Sequence, residues 1–273
     1  MQGETPSQVT VDGTGVIGDR AYALVDSETG MVASAKDPRR WAALLGFSAR
    51  FSAEPGHGQP LTITLPDGAE VSSADPDIDR HLSSAAGRRV TLSGAPAFAA
   101  TYDEVWPDID GLAPDEFVAS LRTGQTSAGE AVTANEVGML APGTFQDVSP
   151  VTILTTASLR AAQRLHPAGD WDPRRFRMTI LIDADGEGFI ENDWPGRALI
   201  IGTVRLSVLA PTPRCVMVTL AQPHLGADRA VLTTVARHNR AEVLGSGRFA
   251  CLGAYASADL SGTIRVGDHV ELT

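Results

Sequence analysis

Short apolar segments separated by turn-forming residues dominate this chain of 273 residues. Residues 61–65 alternate between apolar and polar side chains and end at the Pro-Asp-Gly turn of 66–68. Residues 20–26 and 31–34 have strand character on either side of a turn at 27–30. Alternation bounded by Pro, Gly, Asn and Asp predicts strands and hairpins. Many short strands with few helices favour a mixed α/β, strand-rich fold with a barrel-like sheet.

The rest of the chain continues this pattern and adds a few helices. Further strands are predicted at 89–92, 151–155, 178–183, 198–201, 203–209 and 215–220, with two paired strands in 262–272. Helices are predicted at 76–86 after an Asp75 cap, at 114–121, at 158–165 after a Thr156 cap, and at 228–239. Residues 93–145 otherwise show little periodicity, which predicts a long connection between structured parts.

The composition is that of a globular chain with its own core, since 43% of the residues are hydrophobic and 20% are charged. The net charge of −11 argues against nucleic acid or an anionic membrane as a partner. No apolar run approaches the roughly 20 residues that span a bilayer, and the N-terminus has no secretion signal. Two cysteines make no disulfide framework, which favours a reducing cytoplasm.

Cys215 is the cysteine with a reactive setting. It follows Arg214 directly, whereas Cys251 lies in an apolar segment and is assigned to packing. A thiolate is a soft metal ligand or a nucleophile, and a neighbouring cation favours the ionised form. The alternative is a plain core residue, because free cysteine is among the most buried residue types.

Arginine supplies nearly all the positive charge, and Lys36 is the only lysine. Three arginines cluster in 174–177, Arg20 precedes a predicted strand, and Arg214 precedes the cysteine. With the hydroxyls of 155–158 at a predicted helix start, these groups suit a phosphate or pyrophosphate. Surface salt bridges are the alternative reading. Asp147 and Ser149, just before the strand at 151–155, either face a ligand or shape a turn.

Several familiar motifs are absent or out of context. Residues 13–18 match the GxGxxG fingerprint, but a strand follows instead of a helix, so these glycines are predicted to be loop residues. The chain has no GxSxG elbow and no phosphate-binding loop, and its histidines show no metal-ligand spacing: His57, His81, His166, His224, His238 and His269. Zinc and serine-hydrolase chemistry therefore have no support.

Other short motifs share one order along nearly the whole chain. They are Gly18-Asp-Arg20, Asp37-Pro-Arg39, Asp147-Val-Ser-Pro150 leading into 153–158, Arg175-Phe-Arg177, Trp194, Gly202, Arg214-Cys215 and the segment 262–268. This series resembles MOSC-domain proteins, named for the C-terminal domain of molybdenum cofactor sulfurase. It is most similar to the two-part type that includes the mitochondrial amidoxime-reducing component. The resemblance implies a β-barrel MOSC domain at 146–273, packed with an N-terminal β-barrel-like domain at 1–98 and joined to it through 99–145.

The resemblance also implies a cofactor and a reaction. Cys215 would be the molybdenum ligand and a catalytic residue, with Asp147 beside the metal. Contacts to the molybdenum cofactor (Mo-molybdopterin) are implied for a further set: Arg20, Ser149, Arg175, Arg177, Thr179, Arg214 and Thr219. The implied activity is reduction of small N-hydroxylated or N-oxygenated compounds. Its electrons would come from a separate flavin or iron–sulfur protein, because two cysteines are too few for a cluster of the chain's own. A family-level label of pyridoxal phosphate binding accompanies the resemblance.

Two departures from the family pattern keep alternatives open. Relatives begin with a Tyr-Pro-Val-Lys-Ser strand, whereas this chain opens after that point, so the first strand is expected to be missing. Arg177-Met178-Thr179 stands where the family has Arg-Pro-Asn, and one hydroxyl replaces an amide. The alternatives are a carrier of the cofactor or its sulfur that performs no turnover, and a binding module that has lost cofactor contacts.

Overall fold

The fold is mixed α/β and strand-rich, as predicted. The computed structural model describes residues 3–56, 58–94 and 100–273. In these ranges the strands are β1 (Gln8–Asp12), β2 (Gly15–Val16), β3 (Ala23–Asp26), β4 (Ser48–Phe51), β5 (Leu61–Thr64), β6 (Glu70–Ser72), β7 (Val90–Ser93), β8 (Thr101–Trp106), β9 (Arg122–Gln125), β10 (Ala131–Glu136), β11 (Val151–Thr155), β12 (Ile180–Ile182), β13 (Ala198–Ile201), β14 (Val204–Pro213), β15 (Arg240–Glu242), β16 (Arg248–Leu260), β17 (Gly262–Arg265) and β18 (Val270–Leu272). The helices are α1 (Pro38–Trp41), α2 (Ile78–Ala86), α3 (Asp115–Leu121), α4 (Thr156–Leu165) and α5 (Arg229–His238), and 3₁₀ turns cover Ala42–Gly46, Pro173–Phe176, Ile190–Asp193 and Val216–Thr219.

The N-terminal part has its own apolar core. Strands β4, β5 and β6 form an antiparallel sheet, and β3 pairs with β7. The alternation read in β5 places Leu61 and Ile63 in this core, where they share a cluster with Leu82 of α2. Helix α2 begins two residues later than predicted, because the Asp75 carboxylate caps the backbone N–H of Asp77 in a preceding turn. The segment 31–34 makes only a single bridge, between Val25 and Val32, instead of a strand.

Residues 100–136 contain a sheet that the sequence pattern did not predict. Strands β8, β10 and β9 pair antiparallel in that order, and α3 lies between β8 and β9 in the chain. The four residues of β9 are exposed, so the strand carries no apolar alternation and its pairing depends on β10. The predicted division of the chain stays a prediction, and its boundary at 98–99 touches residues outside the described ranges.

The C-terminal part is built on a barrel-like sheet. Its strand order is β12-β11-β16-β14-β13-β18, with β15 also paired to β16. Ile153, Leu206 and Leu199 fill one side of this sheet, and helices α4 and α5 pack on the other. The longest described helices, α4 and α5, have ten residues each, and no described helix is long and apolar enough to cross a membrane.

Three predictions in this part are wrong. Residues 216–219 form a 3₁₀ turn instead of a strand, closed by the Thr219 hydroxyl donating to the carbonyl of Val216 at 2.7 Å. Strands β17 and β18 pair with β1 and β13 respectively instead of with each other. Helix α4 begins at Thr156, one residue after its true cap, because the Thr155 hydroxyl accepts from the N–H of Ser158.

The glycine-rich segment between β1 and β3 is a tight hairpin followed by a turn; Gly13 and Gly18 lie in turns as predicted, whereas Gly15 lies in β2, which pairs with β1. Gly15 has a φ of +107°, and a Cβ there would collide with the carbonyl of Pro150. Gly18 has a φ of +89° and lies against Phe51 and Pro55. Only glycine combines this backbone conformation with so close an approach. The consequence is that Arg20 is brought beside residues 147–150, far along the chain.

Candidate functional site

A cavity of about 360 Å³ lies where the N-terminal part, the β8–β10 sheet and the C-terminal sheet meet. The charged residues and the cysteine that line it come from both halves of the chain: Arg20, Lys36, Glu104, Asp147, Arg175, Arg177, Arg214 and Cys215. The sequence-predicted residues Cys215, Asp147, Arg20, Arg177 and Arg214 are thus brought together. Because the lining is composite, neither half provides this site alone.

Cys215 sits on the cavity wall at the end of β14. Proline occupies position 213, and the N–H of Arg214 donates to the carbonyl of Ala250 at 2.8 Å, which holds the cysteine at the start of the 3₁₀ turn. Burial raises the pKa of the Cys215 thiol, against the opposing effects of Lys36 and Arg214. The expectation that Arg214 favours the ionised form is therefore incomplete: burial outweighs it, and Lys36 opposes burial more than Arg214 does.

Asp147 is the anionic centre of the cavity. Its Oδ2 lies 3.1 Å from Nζ of Lys36, and its Oδ1 accepts from Nη1 of Arg20 at 3.2 Å and from the N–H of Val148 at 3.1 Å. Burial alone would raise the pKa of this carboxyl, but Lys36 and Arg20 hold the pKa well below its usual range. Asp147 is thus a carboxylate that fixes two cations in the cavity.

Lys36 is a site residue that motif reading missed. Its Nζ donates to the hydroxyl of Tyr102 at 3.0 Å and lies 3.6 Å from Oε1 of Glu104, whose Oε2 accepts from Asn135 at 3.0 Å. Tyr102, Glu104 and Trp106 alternate along β8, so all three face the cavity. In the sequence, this alternation and the single lysine were the only signals for the pairing. Neither indicates a site until the β8–β10 sheet is known.

Arg177 carries an unpaired charge. Its backbone has a φ of +53°, and that of Arg20 a φ of +49°, a conformation that non-glycine residues rarely adopt and that concentrates at functional sites. Its Nη1 is buried with no hydrogen-bond partner in the described part of the chain. Burial and then the charge of Arg20 lower the pKa of Arg177 to about 10. An anion at this point would satisfy the guanidinium.

Two further groups in the same cavity lack partners among the described residues. They are Nε of Arg214 and the hydroxyl of Thr212, both buried. The rest of the Arg214 guanidinium donates to the carbonyl of Phe176 at 2.8 Å and to the sulfur of Met178 at 3.2 Å. Burial lowers the pKa of Arg214. Buried polar groups normally have partners, so three orphaned groups on one cavity indicate a site for an anionic ligand.

The other predicted cofactor contacts are engaged within the chain. Arg175 is fully buried, and its guanidinium donates to main-chain carbonyls and one carboxylate: Asp170, Val218, Leu220 and Gly226. The hydroxyl of Ser149 donates to the carbonyls of Val151 and Ala256. Thr219 closes its own turn, and Thr179 exchanges hydrogen bonds with Thr152. In this conformation these groups support the walls of the site.

A second cavity of about 610 Å³ adjoins the first. It is lined by the N-terminal segment from Gly3 to Thr10 together with Arg174, Thr179 and the loop around Gly18. Both cavities share four lining residues: Arg20, Tyr22, Arg177 and Met178. Arg20 and Arg177 thus stand where the two spaces meet, and Thr179 faces the second space.

Arg177→Met is expected to stabilise the ligand-free protein by about 1–2 kcal/mol, because it removes a buried cation that has no partner and is repelled by Arg20. Chemical denaturation measures this difference. The matched control is Arg174→Met, since Arg174 is exposed and paired only with Asp172, and we expect no more than about 0.5 kcal/mol there. A destabilised Arg177→Met protein would mean that the guanidinium has a partner after all.

No group of three or more His, Cys, Asp or Glu residues in the described ranges is arranged to hold a metal ion. His57 lies outside these ranges. A metal at Cys215 would therefore need further ligands beyond the described side chains, which suits a metal that arrives already chelated.

Comparison with known proteins identifies one domain. The family model of the MOSC domain matches residues 142–271. A solved structure, the YUAD protein from Bacillus subtilis, aligns with 63% of this chain and 96% of its own, at 10% identity and a TM-score of 0.37. No curated protein matches the chain. MOSC domains are associated with molybdenum-cofactor binding, in a family of sulfurase and oxidoreductase type. The match, its C-terminal position and the barrel-like sheet together show that this chain contains a MOSC domain at residues 142–271.

Proposed function

We propose that this protein binds the molybdenum cofactor and reduces N-hydroxylated or N-oxygenated compounds with electrons from a separate protein. The observation that carries the proposal is the convergence of Cys215 with three orphaned polar groups, on Arg177, Arg214 and Thr212, in one cavity. A thiolate is a soft ligand for molybdenum, and orphaned guanidinium donors match an anionic group.

The charge of the cavity supports this choice. Five cations line it against two carboxylates, Glu104 and Asp147; the cations are Arg20, Lys36, Arg175, which is paired with Asp170, Arg177 and Arg214. Both carboxylates are engaged by Lys36, so the uncompensated charge lies on the arginines. The dithiolene and phosphate groups of a molybdopterin are both anionic. Such a ligand would supply the missing partners of Arg177 and Arg214.

The side chains divide the work as follows. Cys215 would hold the metal, and Arg20, Arg177 and Arg214 would hold the anionic groups of the cofactor. When bound, the cofactor supplies a metal centre able to exchange two electrons with a substrate. Asp147 fixes Lys36 and Arg20, and burial raises the pKa of both Tyr102 and Tyr255, so their phenols stay protonated.

The reaction needs electrons and protons in equal number. Reduction of a hydroxylamine-type N–O bond takes two electrons and two protons, and it releases the amine and water. The electrons would come from a flavin or iron–sulfur protein, since two cysteines cannot hold a cluster. The protons would come from solvent. Lys36 Nζ and its hydrogen-bonded Tyr102 hydroxyl lie in the cavity and would donate hydrogen bonds to the departing oxygen. A cytoplasmic location fits this chemistry and is part of the proposal.

Metal content tests the proposal. We expect full-length protein from a host that makes the cofactor to carry close to one molybdenum per chain. Cys215→Ser should lose at least about tenfold of it, because serine is a hard and weak ligand for this metal. Cys251→Ser is the matched control, since Cys251 is buried in the β16 core and does not itself line the cavity. Elemental analysis by mass spectrometry gives the ratio.

Activity separates the candidate roles. Loaded protein should reduce a hydroxylamine-type compound when an artificial electron donor is supplied, and Cys215→Ser should not. A persulfide on Cys215 with no turnover would favour the carrier of cofactor or sulfur instead. Molybdenum far below stoichiometric and unaffected by Cys215→Ser would overturn the proposal.

A further inference from the structure

Two hydroxyl groups of the C-terminal sheet, on Thr212 of β14 and Tyr255 of β16, belong to side chains that line the first cavity. The two residues are 3% and 6% exposed, so both are almost closed off from bulk water. The Thr212 hydroxyl is buried without a partner, and the Tyr255 hydroxyl forms no hydrogen bond in the described part of the chain. We call these two groups the hydroxyl pair.

The pairing of β14 with β16 is irregular at this place. The register shifts between Pro211 and Pro213, so Thr212 lies within the shift, and Tyr255 is paired with the β14 residue two positions before Thr212. Such β-bulges redirect side chains and are common next to active sites. Cys215 follows three residues after Thr212, just beyond the end of the same strand. The hydroxyl pair therefore flanks the segment that carries the thiol.

The phenol of Tyr255 is a hydrogen-bond donor among charged groups. Burial, and after it the negative charge of Asp147, raise the pKa of Tyr255 well above its usual range. Lys36 and Arg214 oppose this rise without cancelling it, so the phenol keeps its proton at neutral pH. Tyr102 of β8 also lines the cavity and is close enough to act on the same phenol. Two phenolic O–H groups thus face one space.

These neutral hydroxyls suit a different chemical group from the one that the arginines suit. Guanidinium donors favour an anion. The hydroxyl of an N–OH group is uncharged and has one donor and two acceptor lone pairs. Tyr255 and Tyr102 would donate to its oxygen, and Thr212 would accept a hydrogen bond from its O–H. An N–OH group in this position would have all its hydrogen-bonding capacity used, and Thr212 would gain the partner that it lacks.

We propose that the hydroxyl pair binds the oxygen of the N–O group that the protein reduces and holds it beside Cys215. Tyr255 and Thr212 touch the substrate and are further catalytic residues, although neither changes its covalent state. As the N–O bond takes up two electrons and breaks, negative charge develops on the oxygen, and the hydrogen bond from Tyr255 strengthens. One solvent proton completes the amine and one completes the departing water. The identity of the reducible group rests on the proposed function.

Binding of two neutral ligands that differ by one oxygen atom tests the inference. Full-length protein from the cofactor-producing host is titrated calorimetrically, without electron donor, with N-phenylhydroxylamine and with aniline. We expect the wild type to bind N-phenylhydroxylamine at least about tenfold more tightly than aniline. Tyr255→Phe should weaken the binding of N-phenylhydroxylamine about tenfold and leave that of aniline unchanged, because only the hydroxyl is lost.

Thr212→Val gives a second, independent measurement. It should weaken the binding of N-phenylhydroxylamine about fivefold without lowering the free energy of unfolding, because the hydroxyl that it removes has no partner in the ligand-free protein. Tyr22→Phe is the matched control. Tyr22 also lines the cavity, but its hydroxyl donates to the carbonyl of Gln59 at 2.9 Å, so both ligands should bind as they do to the wild type.

The outcomes separate this inference from the proposed function. Equal binding of both ligands by the wild type, or equal weakening of both by Tyr255→Phe, would overturn the hydroxyl pair. Molybdenum content and turnover are measured on the same preparations, and Tyr255→Phe should lower kcat about tenfold with its molybdenum retained. If turnover fails while the preference for the oxygen depends on Tyr255, the hydroxyl pair stands and the reductase proposal falls. If turnover occurs and Tyr255→Phe changes neither binding nor kcat, only the hydroxyl pair is refuted.

Discussion

Arg175→Met is expected to lower the free energy of unfolding by about 4 kcal/mol. The Arg175 side chain is fully buried, and its guanidinium donates to the carbonyls of Asp170, Val218, Leu220 and Gly226 and to the Asp170 carboxylate. Methionine fills a similar volume but donates nothing, so the carbonyls lose their partners inside the protein. Chemical denaturation of the full chain measures the loss.

The control for this substitution lies in the same turn. Arg174 is 56% exposed and pairs with Asp172, so Arg174→Met should change stability by no more than about 0.5 kcal/mol. Equal effects of the two substitutions would contradict the structural role of Arg175. If Arg175→Met changes the free energy of unfolding little but the protein loses molybdenum, Arg175 is a cofactor contact, as the family resemblance implies.

Lys36→Met is expected to cost about 3 kcal/mol at neutral pH, because it leaves the buried Glu104 carboxylate without a cation. Burial already raises the pKa of Glu104 with Lys36 present, and removing Lys36 should raise it further. A folded variant that keeps this proton is most stable at low pH. Its unfolding free energy should therefore fall, relative to wild type, as the pH rises above about 4.3 and level off beyond the raised pKa.

A double variant isolates the pair. Lys36→Met combined with Glu104→Gln removes both charges, and we expect it to recover more than half of the lost stability and to lose the extra pH dependence. Arg40→Met removes a more exposed cation that is paired with Asp103 and, at 3.7 Å, with Asp37, which keeps Arg39 as its partner; it serves as the control and should cost less than about 1 kcal/mol. If the loss of unfolding free energy in Lys36→Met does not depend on pH and is not recovered in the double variant, Lys36 stabilises the protein through packing alone.

The local sequence pattern predicted the bounds of a strand or helix correctly wherever the residues of that element alone determine which of its faces is buried. The strand β11 has the predicted bounds, since five consecutive β-prone residues are all buried. Helix α5 begins where Asp228 caps it, with the carboxylate accepting from the N–H of Ala230. In both cases the signal and the cause lie within one short segment.

The pattern failed where non-local contacts decide. Residues 216–219, Val-Met-Val-Thr, have strand propensity, yet they fold into a 3₁₀ turn that packs against α5 and the turn at 173–176. Strand β9 is polar and exists because β10 pairs with it. β-Propensity records the fit to a neighbouring strand, so a segment read alone cannot supply it.

The candidate site shows the same division. Arg20 and Asp147 are 127 residues apart in the chain, and the tight path of the backbone through Gly15 in β2 and Gly18 in the following turn brings them together. The family motifs identified both residues as candidate site residues. The pairing of Lys36 with Glu104 had no motif, because Glu104 lies in a sheet that the sequence did not predict.

The sequence alone determined the strand-rich fold class and singled out Cys215 among arginines as a centre of possible metal chemistry. Only the tertiary structure decided which arginines are available to a ligand. Arg175 and Arg177 are two residues apart and chemically identical, yet three of the five acceptors of Arg175 come from residues 218–226 and the other two from Asp170, whereas the Nη1 atom of Arg177 is left with no partner in the described chain. Hydrogen-bond satisfaction depends on groups distant in the sequence, and this is why the structure, and not the motif, separates the supporting arginine from the one free to bind.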